Sequence, residues 1–319
     1  MLQKVQTDMS LTDSAVSIKG VTKVFTQWQR DNTGKGVLSN LLKPEKRVVT
    51  ALDNVSFDIK KGEFIAYAGP NGAGKSTTMK LLSGMLLPTS GDISVLSMSP
   101  QKQRRRIMRY LGVLFGNRTE LWWDHPIIQS FEWKKVVWDI PEDIYKRNLA
   151  MVTELLDIGD LLKTFARELS LGQRMRADLA MMLLHSPSLI LLDEPTLGLD
   201  VMAKRQMIGF LKQLNEQEGT TIIVTSHDMD DLEEMAKRIL LISRGRIAFD
   251  GGFDMLRNEL ACTKCAVVSF NDGTTREIPY QDTNRLLRNL SAMDGIADIR
   301  FKQTSLEEGL ANLYVKWKG

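Results

Sequence analysis

Residues 63–77 read Glu63-Phe64-Ile65-Ala66-Tyr67-Ala68-Gly69-Pro70-Asn71-Gly72-Ala73-Gly74-Lys75-Ser76-Thr77. Residues 63–68 (EFIAYA) are a short apolar run of the kind a buried strand requires. From Gly69 to Ser76 the pattern G-x-x-x-x-G-K-[ST] is matched in full, and behind it Met79, Leu82 and Met85 recur at helical spacing. Strand, glycine-rich loop and helix, in that order, is the context in which such a loop holds phosphate. The glycines let backbone N–H groups approach phosphate oxygens, and the helix N-terminus adds its dipole. In this chemistry Lys75 neutralises the β- and γ-phosphates and the Ser76 hydroxyl ligates Mg²⁺. The stretch Gly69–Thr77, with Pro70, Asn71, Gly72, Ala73 and Gly74 inside it, therefore predicts ATP binding and hydrolysis.

The surroundings extend this into a fold. Residues 15–25 (AVSIKGVTKVF) and 48–59 (VVTALDNVSFDI) alternate as half-buried antiparallel strands do, and the polar, basic stretch 26–47 between them reads as a surface insertion. A turn at 86–91 leads to a strand at 93–96, and residues from about 120 to 185 carry helical spacing. The runs 189–192 (LILL) and 221–225 (TIIVT) are short and apolar, as central parallel strands are. A hairpin is expected around Arg244-Gly245-Arg246. Alternating strand and helix signals of this kind predict a doubly wound α/β sheet with antiparallel additions. After Gly251-Gly252 the pattern changes to a hairpin (266–270, 275–279), a helix (282–293) and a strand (297–301), a small α+β appendix.

The 319 residues are 43% hydrophobic and 25% charged, the composition of an ordinary globular chain. A net charge of +3 does not call for nucleic acid as a partner. The basic cluster at Lys102, Arg104, Arg105, Arg106 and Arg109 reads as a solvated face. Cys262 and Cys265 form a lone C-x-x-C without nearby histidines, which reads as two free thiols in a reducing compartment. The N-terminal residues lack the apolar core of a signal peptide, and no run approaches the roughly 20 apolar residues of a membrane helix. The expectation is a cytoplasmic chain whose membrane role, if it has one, comes through a partner.

Leu189-Ile190-Leu191-Leu192-Asp193-Glu194 is an apolar strand ending in two acids. An aspartate there can organise Mg²⁺ and the adjacent carboxylate can polarise an attacking water; the same pair could instead start a helix. Between loop and acids lies Leu169-Ser170-Leu171-Gly172-Gln173, opening a helical stretch with Ser170 suited to cap it. Here the sequence resembles the ATP-binding cassette (ABC) ATPases, whose LSGGQ signature residues 169–173 nearly match. The order of segments agrees as well: phosphate loop, signature, acid-ended strand, Leu197-Gly198-Leu199-Asp200, then His227.

The resemblance covers roughly residues 15–252 and implies a P-loop NTPase (RecA-like) core with an antiparallel β subdomain and a helical subdomain at about 117–183. Residues 253–319 form an accessory domain outside it. It implies a head-to-tail homodimer, each ATP lying between one copy's phosphate loop and the Ser170, Leu171, Gly172 and Gln173 of the other. It makes Glu194 the general base, Asp193 the Mg²⁺-organising acid and His227 the residue that touches the γ-phosphate. It puts Asp200 in a loop communicating across the dimer. Phe25 stands where the family has an aromatic stacking on adenine, though by itself it reads equally as a core phenylalanine at a strand end.

Two positions depart from the family. Leu171 replaces the first glycine of the signature, which is tolerable where that backbone position needs no positive φ. Asn117 stands where the family has a glutamine reaching Mg²⁺ and sensing the membrane partner; it keeps the amide but is one methylene shorter. Just beyond it, Leu121, Trp122, Trp123, Phe131, Trp133 and Trp138 read either as a helical core or as a groove for a partner's helix. The insertion at 26–47 and the segment from Phe115 to Asp124 look most like exporter-type ATPases, a group that includes multidrug and antibiotic exporters. The expected partners are integral membrane permease subunits at the inner face of the membrane. The alternative is an ABC ATPase acting on ribosomes or DNA.

Overall fold

The computed structural model describes residues 13–29, 45–115, 119–260, 264–280, 282–303 and 306–310. The chain divides into two compact units, Met1–His227 with Asp231–Asp250, and Asp228–Asp230 with Gly251–Gly319. The first elements are β1 (Ser14–Gln29), β2 (Glu45–Lys60), β3 (Phe64–Ala68), α1 (Lys75–Leu82), β4 (Ser90–Val95), α2 (Arg104–Met108) and β5 (Leu111–Phe115). Three helices follow, α3 (Ile127–Val137), α4 (Glu142–Leu155) and α5 (Leu171–Leu183). Then come β6 (Leu189–Asp193), α6 (Val201–Glu218), β7 (Thr221–Thr225), α7 (Met229–Met235), β8 (Arg238–Ser243) and β9 (Arg246–Gly252).

A six-stranded sheet has the order β5-β6-β7-β3-β8-β9. Strand β3 lies parallel to β7 and β8, and β6 lies parallel to β5 and β7. Every residue of β3 and β7 is buried, which is why these strands read as unbroken apolar runs. Parallel pairing also brings the C-terminal ends of β3, β6 and β7 to one edge, where ligands of open α/β sheets bind. A second sheet, β2-β1-β4, is antiparallel. Its inward residues Val16, Ile18, Val55 and Ile59 share one core with Ile65, Leu191 and Leu240 of the large sheet and with Met79 and Leu82 of α1. Each such side chain contributes about 1.5–3 kcal/mol on leaving water, so α1, and the loop that starts it, is fixed by the core below.

The stretch expected as an insertion over 26–47 begins and ends in strand. The ladder of β1 and β2 continues through Thr26↔Val48 and Gln27↔Arg47 to Gln29↔Glu45. Backbone pairing persists there although the apolar alternation stops at Phe25, because a ladder needs no buried face to form its hydrogen bonds. Residues 30–44 lie outside the described residues.

In the second unit α8 (Phe253–Glu259) precedes β10 (Lys264–Phe270), β11 (Thr275–Tyr280), α9 (Thr283–Ser291) and β12 (Ile296–Gln303). Strand β10 is central and antiparallel to both neighbours. Ala266 and Val268 of the sheet pack with Leu286 and Leu290 of α9 to form a core belonging to this unit. Cys265 is a free thiol, and Cys262 lies outside the described residues. Among the described residues no helix is long and apolar enough to cross a membrane.

Candidate active site

The glycine-rich loop leaves β3 at Ala68 and enters α1 at Lys75. Gly74 has φ +118, and a Cβ there would lie 2.7 Å from the Ala51 carbonyl oxygen and from Leu52. A Cβ on Gly69 would run into the carbonyl of Ile242. The loop is thus pressed against β2 and β8, and only glycine fits at both ends of it. Lys75 is 6% exposed. Its ammonium donates to the carbonyls of Gly69 at 2.6 Å and Pro70 at 3.3 Å. Burial lowers its pKa, while the charges of Glu194 and Asp193 oppose that shift.

Asp193 ends β6 opposite Thr225 of β7. The Thr225 hydroxyl donates to Asp193 Oδ1 at 2.6 Å and accepts the Glu194 N–H at 3.0 Å. The Thr225 carbonyl takes the same N–H at 3.1 Å. These bonds hold Glu194 at φ +58, a left-handed conformation that costs a non-glycine residue on the order of 1 kcal/mol. The turn aims the carboxylate at His227, whose Nε2 lies 2.7 Å from Glu194 Oε1. Thr225 was not singled out in the sequence; its one signal is being the polar residue that ends TIIVT.

A cavity of about 640 Å³ is lined by Ser76, Lys80, Asp193, Phe115, Thr119 and Glu120 among others. Ser76 and Asp193 both line it, as do Phe115 and Thr119, which flank residues 116–118; Asn117 itself lies outside the described residues. Thr119 Oγ1 and the Glu120 N–H donate to Asp178 of α5 at 2.8 and 3.2 Å. Burial pushes the Asp178 carboxyl up to about 6 against these hydrogen bonds. Sequence reading missed this link, whose signal is one acid in the otherwise apolar stretch Ala177–Leu184.

Ser170 caps α5 in a reciprocal box: Gln173 N–H donates to Ser170 Oγ at 3.2 Å and Ser170 N–H to Gln173 Oε1 at 2.9 Å. Leu171 is the first helical residue and needs no positive φ, so the missing signature glycine is accommodated. Asp200 caps α6 by accepting the Ala203 N–H at 2.8 Å. Phe25 is half-buried rather than in the core, with Lys23 Nζ 5.0 Å from its ring centre. The aromatic cluster divides. Leu121 and Phe131 are buried, whereas Trp122 and Trp133 are each 39% exposed and Trp123 50%.

A parallel sheet whose β3 feeds a glycine loop into a helix, beside a strand ending in Asp-Glu, defines the P-loop nucleoside triphosphatases. The ABC transporter family model matches residues 52–197. A putative ABC transporter ATP-binding protein of Clostridium acetobutylicum, CA_C1368, is 31% identical over 63% of this chain and 73% of its own. The methionine import ATP-binding protein MetN of Carboxydothermus hydrogenoformans is 31% identical over 65% of this chain and 63% of its own. The probable multidrug ABC transporter ATP-binding protein YbhF of Escherichia coli is 33% identical over 66% of this chain and 36% of its own. The chain thus spans less than two thirds of the length of MetN and of YbhF. A solved dimeric ATP-binding cassette, bound to ADP and Pi after hydrolysis, superposes with a TM-score of 0.63 over 74% of this chain and 98% of that one at 24% identity, which shows the fold. The chain belongs to the ATP-binding proteins of ABC transporters.

Proposed function

We propose that this chain is the ATP-hydrolysing subunit of an exporter with separate membrane subunits, working as a head-to-tail homodimer. The observation that carries the reading is the Glu194–His227 pair, 2.7 Å apart, at the same sheet edge as the buried Lys75. ATP is the substrate. Lys75 exchanges the carbonyls of Gly69 and Pro70 for the β- and γ-phosphates, and the N–H groups of the loop through Thr77 close round them. The Ser76 hydroxyl and the Asp193 carboxylate, hard oxygen donors lining one cavity, suit Mg²⁺; the family resemblance adds Asn117 to this set. When bound, the ion supplies neutralisation of phosphate charge. Glu194 takes the proton of the attacking water; His227 orients that carboxylate and approaches the γ-phosphate. Phe25 stacks on adenine.

Ser170, Leu171, Gly172 and Gln173 of the second copy complete the site with a helix N-terminus, and Asp200 lies in the loop that reports across the dimer. On this reading residues 15–252 are the ATPase domain, with helices of 117–183 as the docking subdomain, and residues 253–319 are an accessory domain. Trp122, Trp123 and Trp133 face membrane subunits at the inner face of the membrane. Export draws on the long insertion in the sequence at 26–47 and on the likeness to a relative named for multidrug transport; the relative named for methionine import weighs against it.

Glu194→Gln tests the core of this. The variant should still bind ATP and accumulate an ATP-dependent dimer on size-exclusion chromatography, while turnover falls by about 100-fold or more. Normal turnover in this variant rules out Glu194 as the base.

A further inference from the structure

Leu171 stands where the signature has glycine, and its side chain reaches a second segment. Its Cδ2 lies 2.7 Å from the point that a Cβ on Gly198 would occupy. One residue on, a Cβ on Gly172 would sit 3.5 Å from Ala203 Cβ and 3.8 Å from Leu199 Cδ2. The N-termini of α5 and α6, capped by Ser170 and Asp200, therefore meet through Leu171, Gly172 and the loop 197–200. Gly198 has φ +74 and no side chain of its own, which makes it the point of that loop with the widest conformational range. Leucine fills the space above it that a glycine in its place would leave open.

We propose that Leu171 is a positioning residue, whose side chain clamps Gly198 and so holds the loop 197–200 in fixed register with the start of α5. The two segments then present one rigid face to a second copy. Ordering them within the single chain removes a cost that would otherwise fall due when the dimer closes on ATP. The clamp is a property of one chain; its effect on ATP rests on the dimer reading above.

Hydrogen exchange of the nucleotide-free protein reads the clamp directly. Leu171→Ala keeps helix propensity while removing the contact, and should speed exchange at Leu197–Leu199 severalfold, with the remainder of α5 unchanged. Leu171→Met, which conserves volume, should restore protection. The KM for ATP of Leu171→Ala should rise about 3- to 10-fold, as expected when a loop must be ordered on binding. Gly198→Ala should be more harmful in the wild-type background than in the Leu171→Ala background, because the added Cβ meets Leu171 Cδ2. The strain of alanine at positive φ stays the same in both backgrounds. Unchanged exchange at 197–199, or equal damage by Gly198→Ala in both backgrounds, overturns the clamp. Faster exchange with an unchanged KM overturns the positioning role. Absence of ATP turnover in the unaltered protein would strike the proposed function while leaving the exchange result to judge the clamp.

Discussion

Asp178 is 7% exposed on α5, and its carboxylate is held by Thr119 and Glu120 just past the loop that contains Asn117. The folded protein retains this proton up to about pH 6 against an ordinary value of 3.8. The stability this group contributes is therefore fully present below about pH 4 and is lost as pH rises through 6. Asp178→Asn removes the titration. The variant should gain on the wild type by roughly 2–3 kcal/mol between pH 4 and pH 7, measured as the change in their difference in urea unfolding free energy. A difference that stays constant with pH means that Asp178 does not titrate in this range. Lys75, Asp193 and Glu194 were legible because each sits inside a short motif. Thr225, Thr119 and Asp178 were not, because each matters through a partner far away in the chain.

At the scale of elements, S-x-x-Q at 170–173 forecasts the capped start of α5, since both hydrogen bonds of the box lie within four residues. The β1–β2 hairpin exceeds its forecast because apolar alternation marks burial, whereas beyond Phe25 the alternation stops and the backbone ladder continues. The segment joining β5 to Thr119 carries the other element-scale prediction. Asn117→Gln lengthens the side chain by one methylene and restores the glutamine that the family has at this position. Basal ATPase should stay within about twofold, and the rate stimulated by membrane subunits should change, if this loop is the sensor that couples them. An unchanged stimulated rate counts against that role.

For the whole molecule, the partly exposed Trp122 and Trp133 rings lie 5.7 Å apart, and Trp123 is exposed as well; under the proposed function they are the aromatic surface that a membrane subunit would meet. Affinity purification from solubilised membranes should recover a pair of membrane subunits, and recovery of ribosomes or DNA instead overturns the transporter reading. Replacing Trp122 and Trp133 by alanine should weaken that association by about 10-fold or more, with basal ATPase retained, as for hot-spot aromatics. The sequence by itself determined the phosphate loop, the acid-ended strand, the capped signature helix and the change of pattern after Gly252. Each is written in neighbouring residues whose spacing is the chemistry. Only the tertiary structure decided that Glu194 meets His227, that Ser76 and Asp193 share a cavity, that Thr225 ties the two acids together and that Leu171 covers Gly198. Those pairings depend on the parallel register of β3, β6 and β7 and on how α5 and α6 start against each other, geometry that no spacing along the chain records.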